Sequence, residues 1–526
     1  MLNRKVNRRD VLRFAGLASA ATLAAACGAT ATPAPAATSA PAATAAPTAT
    51  TAAAASPTAN VDLTAQVQAA QATEAAIAAA AVTATPGADV LSMTAEQYNQ
   101  SQKDAEATAR AQGKTVIELL SAYGTIAEDK TQPHYWIIKD FMEKNPNIFV
   151  KYSPSSAYTG GFNEVILMRI ASGDPPDAIL HYSAPIAYAA RGTCRALDDL
   201  MDADPVCNKD AFPASTLAQV QWNGKTWGVP LNGSMCVMWY NVEVLGEKGL
   251  PTKREDFPKT LDELQDLSAK VTEWDGDTLK MAGATPWIGN WAWPGMMVAA
   301  GGTGFWDGAK YSINDPKNTA LLEYWLAWLD KMYKGDIDNL NKQGTLNNTY
   351  PEGAFGLGIQ VICSDGFWSA THTPPERKYE ISQMPIGLTG TRHATSNWPN
   401  LMFIPTGAKH VKEGFQLCAY YSTEGQIQWW NRWSDVPYWK KFPEDSAPAD
   451  LIARVGQEKA LELTKFARAY IPEIVVQWNS PVDDFANDMI NKAVDEVLHK
   501  KTPPQAALDS AQQQVEAKLK EAVAPA

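Results

Sequence analysis

The chain has 526 residues, a formal net charge of −12 at pH 7, 18 tryptophans and six cysteines. One hydrophobic core rarely grows beyond about 250–300 residues, so this length predicts at least two folded bodies. The acidic balance, without any cluster of Lys and Arg interleaved with aromatic residues, argues against nucleic-acid binding and against a polybasic membrane patch.

The first 26 residues have the pattern of an export signal. Arg8-Arg9 precedes an apolar run from Phe14 to Ala26, which is typical of a twin-arginine signal peptide and too short to span a membrane. Leu23–Cys27 resembles a bacterial lipobox, in which Cys27 becomes the lipid-modified N-terminus. The alternative is a plain secretory signal with an incidental cysteine. We expect an exported protein, lipid-anchored to the outer face of the bacterial cytoplasmic membrane.

Residues 27–112 are expected to form a tether. They are rich in Ala, Thr and Pro as far as about Pro86, and such a segment buries too little apolar surface to offset the entropy of ordering. Within the tether, Gln66–Val82 can form a helix. Met93–Gln112 is predicted to be a polar helix that is capped by Thr94 and ends at Gly113.

Strands alternate with helices from Lys114 onwards. The predicted elements are strands Thr115–Ser121, Ile148–Tyr152 and Ala178–His181, and helices Tyr135–Lys144 and Phe162–Ala171. The alternation predicts a parallel sheet that is covered by helices on both faces. Ligands bind beyond the carboxyl ends of such strands, where Tyr123 and Tyr182 are found. Both tyrosines are therefore candidate ligand-binding residues.

Trp222–Asn241 is predicted to carry the chain from one folded body to the next. A turn and a short extended segment lead to Met235–Tyr240, an apolar run of strand length. The polar break Leu231–Ser234 lies between them, and it places Asn232 and Ser234 in the gap between two lobes. An ordinary buried hairpin with a polar corner is the alternative.

Five tryptophans occupy loop-like sequence close to Gly, Pro, Asn or Asp: Trp291, Trp293, Trp368, Trp398 and Trp433. An exposed indole offers a flat apolar face to the C–H face of a sugar ring, while nearby polar groups such as Asp365 bind the hydroxyls. The same aromatic walls can hold a quaternary ammonium group by cation–π attraction. Composition alone does not distinguish a sugar from a quaternary ammonium ligand. For any single tryptophan, the alternative is that its ring packs in a hydrophobic core.

Catalytic motifs are mostly missing from the sequence. It contains no G-x-S-x-G, H-E-x-x-H, Walker or C-x-x-C pattern, and its six histidines lack ligand spacing, so no metal or cofactor is predicted. Asp483-Asp484 is interpreted as a solvated pair. A pair of glycosidase carboxylates stays open, because such a pair is defined by its separation in space and not in sequence.

Cys194 and Cys207 enclose a short loop in which a disulfide can form outside the cytoplasm.

Four motifs, in this order, resemble the family-1 extracellular solute-binding proteins of ABC importers, the maltose-binding-protein-like sugar binders. The similar segments are Ala171–Asp177 ("SGD-PD"), Gly224–Asn241 ("GK-YGVP…YN"), Pro258–Leu264 ("P-TWDEL") and Asp365–Trp368 ("G-W"). The similarity extends from about Lys114 to the end of the chain. It departs from the family at Leu261 and Trp227, where the family has Trp and Tyr.

The resemblance implies an α/β, two-lobe periplasmic-binding-protein-like fold of type II, in which each lobe is a mostly parallel sheet flanked by helices and a solute is clamped by hinge closure. Lobe 1 would comprise 114–234 and part of about 402–435, and lobe 2 would comprise 235–400 and 436–526. A second crossing is expected near Asn397–Phe403. Carried over by motif, Ser234 and Trp368 would contact the ligand.

The implied function is that of a monomeric receptor, which captures a mono- or oligosaccharide and delivers it to ABC permease subunits without catalysis. Three alternatives stay open. They are a surface-anchored glycan-degrading enzyme, a binder of another polar solute such as a polyol or quaternary amine, and a structural envelope lipoprotein.

Overall fold

A computed structural model describes residues 93–124, 132–155, 161–342, 345–476 and 479–523. All of these lie within one unit of the chain, Gln66–Ala526. The predicted signal peptide, the lipidation site Cys27 and most of the tether lie outside the described residues. In the described part, no helix combines the length and apolar character that a membrane span requires.

The strands are β1 Thr115–Ser121, β2 Ile148–Pro154, β3 Ala178–His181, β4 Gln221–Trp222, β5 Lys225–Thr226, β6 Val229–Asn241, β7 Glu273–Asp275, β8 Thr278–Met281, β9 Ile362–Gly366, β10 Tyr379–Ser382, β11 Asn397–Phe403 and β12 Val436–Pro437. The helices are α1 Ala95–Ala111, α2 His134–Lys144, α3 Phe162–Ala171, α4 Ile186–Ala190, α5 Asp198–Ala203, α6 Ala214–Leu217, α7 Val242–Glu247, α8 Leu261–Val271, α9 Trp293–Ala299, α10 Pro316–Tyr333, α11 Ile337–Lys342, α12 Val411–Ser422, α13 Gln426–Trp430, α14 Ala449–Val455, α15 Gln457–Ala469, α16 Asp483–Leu498 and α17 Pro504–Val523.

The main sheet has the strand order β10-β6-β11-β3-β1-β2, and β9 and β12 also pair with β6. β1 pairs in parallel with β2 and β3, as the alternation of strands and helices predicts. All pairings of β6, with β9, β10, β11 and β12, are antiparallel. The sheet is therefore mixed, and the expectation of mostly parallel sheets applies to β1–β3 only.

β6 belongs to two hydrophobic cores at once. Its odd-numbered side chains from Met235 to Trp239 pack in core 1, which also contains residues of β1, β2, α2, α12 and α15. Its even-numbered side chains from Cys236 to Tyr240 pack in core 2, with residues of α8, α10, α16 and α17. Successive side chains of a strand point to opposite faces, so one strand can serve both cores.

The assignment of the C-terminal third differs from the sequence-based division. Buried residues from Val436 to Ile474, including Leu451 and Leu463, pack in core 1, whereas the predicted boundary placed them in lobe 2. Core 2 receives the later helices α16 and α17. The sequence does not reveal that the chain returns to core 1 before it enters core 2, because the helices of both segments, α14–α15 and α16–α17, are amphipathic and similar in composition.

The predicted break at Leu231–Ser234 is absent, because β6 runs without interruption through these residues. Gly233 makes this possible: a Cβ there would lie 2.0 Å from the Tyr438 hydroxyl oxygen and 2.7 Å from the Trp398 carbonyl oxygen. The strand therefore passes through a site that only glycine fits. The second predicted crossing is β11, which pairs with β6 on one side and β3 on the other.

Helix α1 forms as predicted at the end of the expected tether. The Thr94 hydroxyl accepts from Gln97 N, the Gln97 side chain accepts from Thr94 N, and Gly113 has φ +73°. The helix contacts β1 and β2, and it buries Tyr98, which is only 3% exposed. This last part of the tether therefore packs on the folded body.

Candidate ligand-binding cleft

Six aromatic rings form a continuous row, here called the aromatic row, in the order Trp291, Trp368, Trp398, Tyr182, Tyr123 and Trp433. Along it the successive ring centroids are 5.0, 6.5, 5.5, 6.1 and 5.4 Å apart. All six residues were predicted from sequence as ligand-binding candidates. They come from six separate segments of the chain.

The aromatic row reaches from one core to the other. Trp291 is partly buried against core 2, whereas Tyr182 and Trp433 are partly buried against core 1. Trp398 lies between them on the crossing strand β11, opposite Ser234 of β6. Five of the six rings are partly exposed, and Tyr123 is 8% exposed. The row therefore presents aromatic faces where the two cores meet.

Tyr182 is positioned by the histidine before it. His181 Nδ1 accepts hydrogen bonds from the backbone N–H groups of Tyr182 and Ser183 at 2.8 and 2.9 Å, which leaves Nε2–H to donate to Asn163 Oδ1 at 3.0 Å. Burial lowers the pKa of His181 to about 3. The imidazole therefore stays neutral and keeps this tautomer in the physiological range.

Trp293 lies in core 2 instead of the cleft. It is 6% exposed, its ring lies 6.1 Å from that of Trp325, and its Nε1 donates to Trp287 O at 3.2 Å. The prediction placed it in a loop because Gly, Asn and Pro surround it. In the structure it begins α9, where Pro294 suits the first turn of a helix.

Asp365 also lies away from the surface of the cleft. Its carboxylate accepts from Thr349 Oγ1 at 2.8 Å, from Ser369 Oγ at 3.0 Å and from Gly366 N at 2.8 Å. Burial raises its pKa, and these hydrogen bonds lower it. Asp365 therefore shapes the turn that leads to Trp368, and does not offer a free carboxylate to a ligand.

Asn232 and Ser234 are fully buried and bonded to protein groups. Asn232 Nδ2 donates to Gln426 Oε1 at 2.8 Å, and Asn232 Oδ1 accepts from Asn400 Nδ2 at 2.7 Å. Ser234 Oγ accepts from Trp368 N at 2.5 Å. They lie beneath the aromatic row and do not face the gap, because both side chains are fully buried among the protein groups that they bond.

Cys194 and Cys207 are free thiols, so the disulfide considered from sequence is absent. Cys194 packs in a small cluster with Tyr188 and Phe403, and its thiol faces Trp227 O at 3.3 Å. Cys207 packs in core 1. Burial raises the pKa of both thiols.

Among the described residues, no group of His, Cys, Asp and Glu has the arrangement of a metal site.

Sequence reasoning missed several residues at this site. Tyr350 and His372 pack with ring centroids 4.7 Å apart, and His372 Nδ1 lies 3.0 Å from Trp368 O. Asn400 and Asp435 lie beneath the aromatic row. An amide in a strand and a carboxylate before a two-residue strand carry no local signal of such a role.

A mixed α/β fold with two cores, shared crossing strands and aromatic faces between the cores defines a two-lobe binding protein. The sequence matches the family model of bacterial extracellular solute-binding proteins over residues 136–455, more than half of the chain. The chain belongs to this family, as the motif order predicts, and export follows from that membership. No curated protein matches the chain in sequence.

Solved structures with the same fold confirm the two-lobe prediction. CpMnBP1 with mannotriose bound has a TM-score of 0.61 and 20% identity, covering 76% of this chain and 100% of that chain. The maltose/maltodextrin-binding domain MalE of Bdellovibrio bacteriovorus, bound to maltotriose, has a TM-score of 0.57 and 16% identity, covering 77% and 100%. The cyclic α-maltosyl-1,6-maltose binding protein of Arthrobacter globiformis has a TM-score of 0.59 and 16% identity, covering 78% and 100%.

Proposed function

We propose that this protein is the receptor of an ABC importer and captures a mono- or oligosaccharide in the cleft without catalysis. The observation that carries the proposal is the aromatic row, whose rings reach from core 1 to core 2. Similar structures hold mannotriose, maltotriose and related sugars, which supports carbohydrate over other solutes. Sugar rings present C–H faces that pack against indole and phenol rings.

Two features of the row suit capture by closure. Trp291 and Tyr182 are anchored to different cores, so a rotation of one core against the other changes the distance between them. Trp398 lies on the crossing strand β11 and stays near the axis of such a rotation. A ligand that contacts both sides then favours the closed arrangement, and its affinity includes the free energy of closing.

The proposal includes the cellular location. The twin-arginine sequence and the lipobox-like Leu23–Cys27 support export and lipid attachment at Cys27, followed by a tether of residues 27–112 up to the folded body. The bound solute would then be passed to permease subunits in the same membrane. Radiolabelled fatty acid incorporation tests the anchor, with Cys27→Ala as the unlabelled control.

Isothermal titration calorimetry with mannotriose, maltotriose, glucose, a polyol and choline tests the ligand class. Saturable binding of one or more sugars is expected, and binding of choline alone would replace the carbohydrate proposal with the quaternary-amine alternative. Chromatography of each oligosaccharide after incubation tests the enzyme alternative, because released products would contradict a pure receptor.

A further inference from the structure

Asn163, in the first turn of α3, bonds groups of both lobes through one side-chain amide. Its Oδ1 accepts from His181 Nε2 at 3.0 Å and from the Tyr188 hydroxyl at 2.6 Å. Its Nδ2 donates to Asp484 Oδ2 at 3.0 Å. Buried residues of α3 and Tyr188 pack with residues of β1 and β3, whereas α16, which carries Asp484, packs in core 2. The amide oxygen therefore serves the lobe of β1 and β3, and the amide nitrogen serves the lobe of core 2.

The lobe of β1 and β3 determines which end of this amide faces the other lobe. His181 Nδ1 accepts from the backbone N–H groups of the next two residues at 2.8 and 2.9 Å, so the proton of the neutral imidazole is on Nε2. Two donors, this Nε2–H and the Tyr188 hydroxyl, then require an oxygen on Asn163 at that point. The –NH₂ end of the amide must therefore face Asp484.

The same imidazole supports the aromatic row. Its ring packs edge to face against Tyr182, with centroids 5.2 Å apart, and its Nδ1 holds the backbone of that residue. Tyr182 lies between Trp398 and Tyr123 in the row. One histidine thus sets both the position of a ring in the row and the direction of the N–H group that meets the other lobe.

We propose that Asn163 is a positioning residue for capture, whose N–H donor is directed in advance at the place where Asp484 arrives when the lobes close on a ligand. The proposal deepens the proposed function and rests on it. A donor that already points at its acceptor loses little conformational freedom when the bond forms, so the contact stabilises the closed arrangement at a small entropic cost. Asn163 itself need not touch the ligand.

Exchange of the two side chains tests the proposal on the intact protein, with mannotriose as the probe and stopped-flow tryptophan fluorescence as the measure of its release. Asn163→Asp keeps an acceptor for both donors of its own lobe but sets a second carboxylate against Asp484, so release should become about tenfold faster. Asp484→Asn alone still offers an oxygen to Asn163 and should speed release about twofold at most. The double variant restores an amide opposite a carboxylate, and its rate should return to within about threefold of wild type. Measurement at pH 8 keeps two adjacent carboxylates from sharing a proton.

Asp488→Asn is the matched control, because Asp488 lies one turn further along α16 and removes the same charge without facing the amide. Combined with Asn163→Asp, it should leave release fast, since it puts no donor opposite residue 163. Equal recovery with either partner, or no recovery with Asp484→Asn, would overturn the proposal. If Asn163→Asp does not fold, Asp484→Lys carries the test: a cation against the N–H donor should speed release about tenfold, and Asp488→Lys should not.

A second readout needs no ligand. In protein labelled with ¹⁵N-histidine, two-bond ¹H–¹⁵N correlations distinguish the Nε2–H from the Nδ1–H tautomer, and the imidazole signals that survive in Gln variants of the other five histidines belong to His181. The Nε2–H form is expected in wild type and also in Asn163→Asp, whose carboxylate accepts the same donors. An Nδ1–H form in wild type would overturn the proposal, because the amide would then turn its oxygen towards Asp484. A wild-type protein that binds no sugar contradicts the carbohydrate function, and the tautomer still tests the proposal.

Discussion

Asn163 Nδ2 donates to Asp484 Oδ2 at 3.0 Å, and this hydrogen bond joins α3, which packs near β1 and β3, to α16 of core 2. Asn163 also accepts from His181 and from Tyr188, so it is tied to the residue that positions Tyr182. The pair is therefore a contact between the two lobes at the edge of the cleft. Under the proposed hinge closure, we expect this hydrogen bond to form only in the closed arrangement.

We expect Asp484→Leu to speed the release of a bound sugar about two- to fivefold, because an exposed hydrogen bond contributes about 0.5–1 kcal/mol to the closed arrangement. Stopped-flow tryptophan fluorescence measures this rate. Asp488→Leu, one turn further along α16, removes a similar charge without touching Asn163 and should leave the rate unchanged. Equal effects of both variants would show that charge, not the contact, matters.

Two tryptophans that looked alike in sequence should behave differently. Trp368→Ala is expected to weaken sugar binding about tenfold with little change in stability, because the ring is partly exposed in the aromatic row. Trp293→Ala should cost about 3–5 kcal/mol of unfolding free energy, because its ring is packed in core 2. Calorimetric titration and urea unfolding separate the two effects, and loss of affinity without loss of stability in Trp293→Ala would contradict the assignment.

The stability of the protein should decrease as pH rises from about 6.5 to 8. At lower pH two buried histidines, His134 and His181, oppose the carboxylates, because burial lowers the pKa of each to about 3 and the unfolded chain binds protons there first. Burial raises the pKa of Asp483 to about 8 and that of Asp435 to about 6. Below pH 4 both states are protonated at these groups; above it the unfolded chain ionises first, which favours unfolding. Each group contributes at most about 1.4 kcal/mol per pH unit within its window.

Urea unfolding at pH 6.5, 7, 7.5 and 8 measures this decrease. Asp483 accepts from Ser480 N at 2.8 Å, which Asn at this position can also accept. Asp483→Asn should therefore flatten the profile between pH 6.5 and 8. A variant profile parallel to the wild-type one over that range would show that Asp483 is ionised in the folded protein.

Both thiols once considered for a disulfide should be unreactive in the folded protein. Cys194 and Cys207 are 4% and 0% exposed, and burial raises their pKa, which suppresses the reactive thiolate. Reductant should leave the melting temperature unchanged. Iodoacetamide followed by mass spectrometry should label them only after denaturation, and a mass two units lower for an unreduced peptide pair would reveal a disulfide.

The sequence predicted strands and helices well where the hydrophobic period was clear. Thr115–Ser121 and Ala178–His181 are strands with the predicted bounds, and Thr94 caps a helix as expected. Such elements depend on local periodicity and capping chemistry, which neighbouring residues determine. The six residues of the aromatic row were all candidates from sequence: the four tryptophans because of their neighbours Gly, Pro, Asn or Asp, and the two tyrosines because they follow predicted strands.

The polar layer under the rings was beyond sequence reasoning. Asn232 and Asn400 are 168 residues apart in the chain, and only the pairing of β6 with β11 brings them together. Asp435 belongs to the same layer through a two-residue strand that has no hydrophobic period. The prediction for Trp293 was wrong because its neighbours Gly, Asn and Pro suggested an exposed loop. In the structure Trp293 begins α9 and packs in core 2.

The sharing of β6 between both cores ties the folding of the two lobes together. If one lobe unfolded, every second side chain of β6 would lose its packing partners, and the other lobe depends on the same strand. Heat or urea should therefore unfold residues 114–523 in one cooperative transition. Inserting a single residue after Met235 would reverse the direction of the following side chains, so that those now in core 1 would point into core 2 and those now in core 2 into core 1. The length of this strand is therefore fixed by both cores at once.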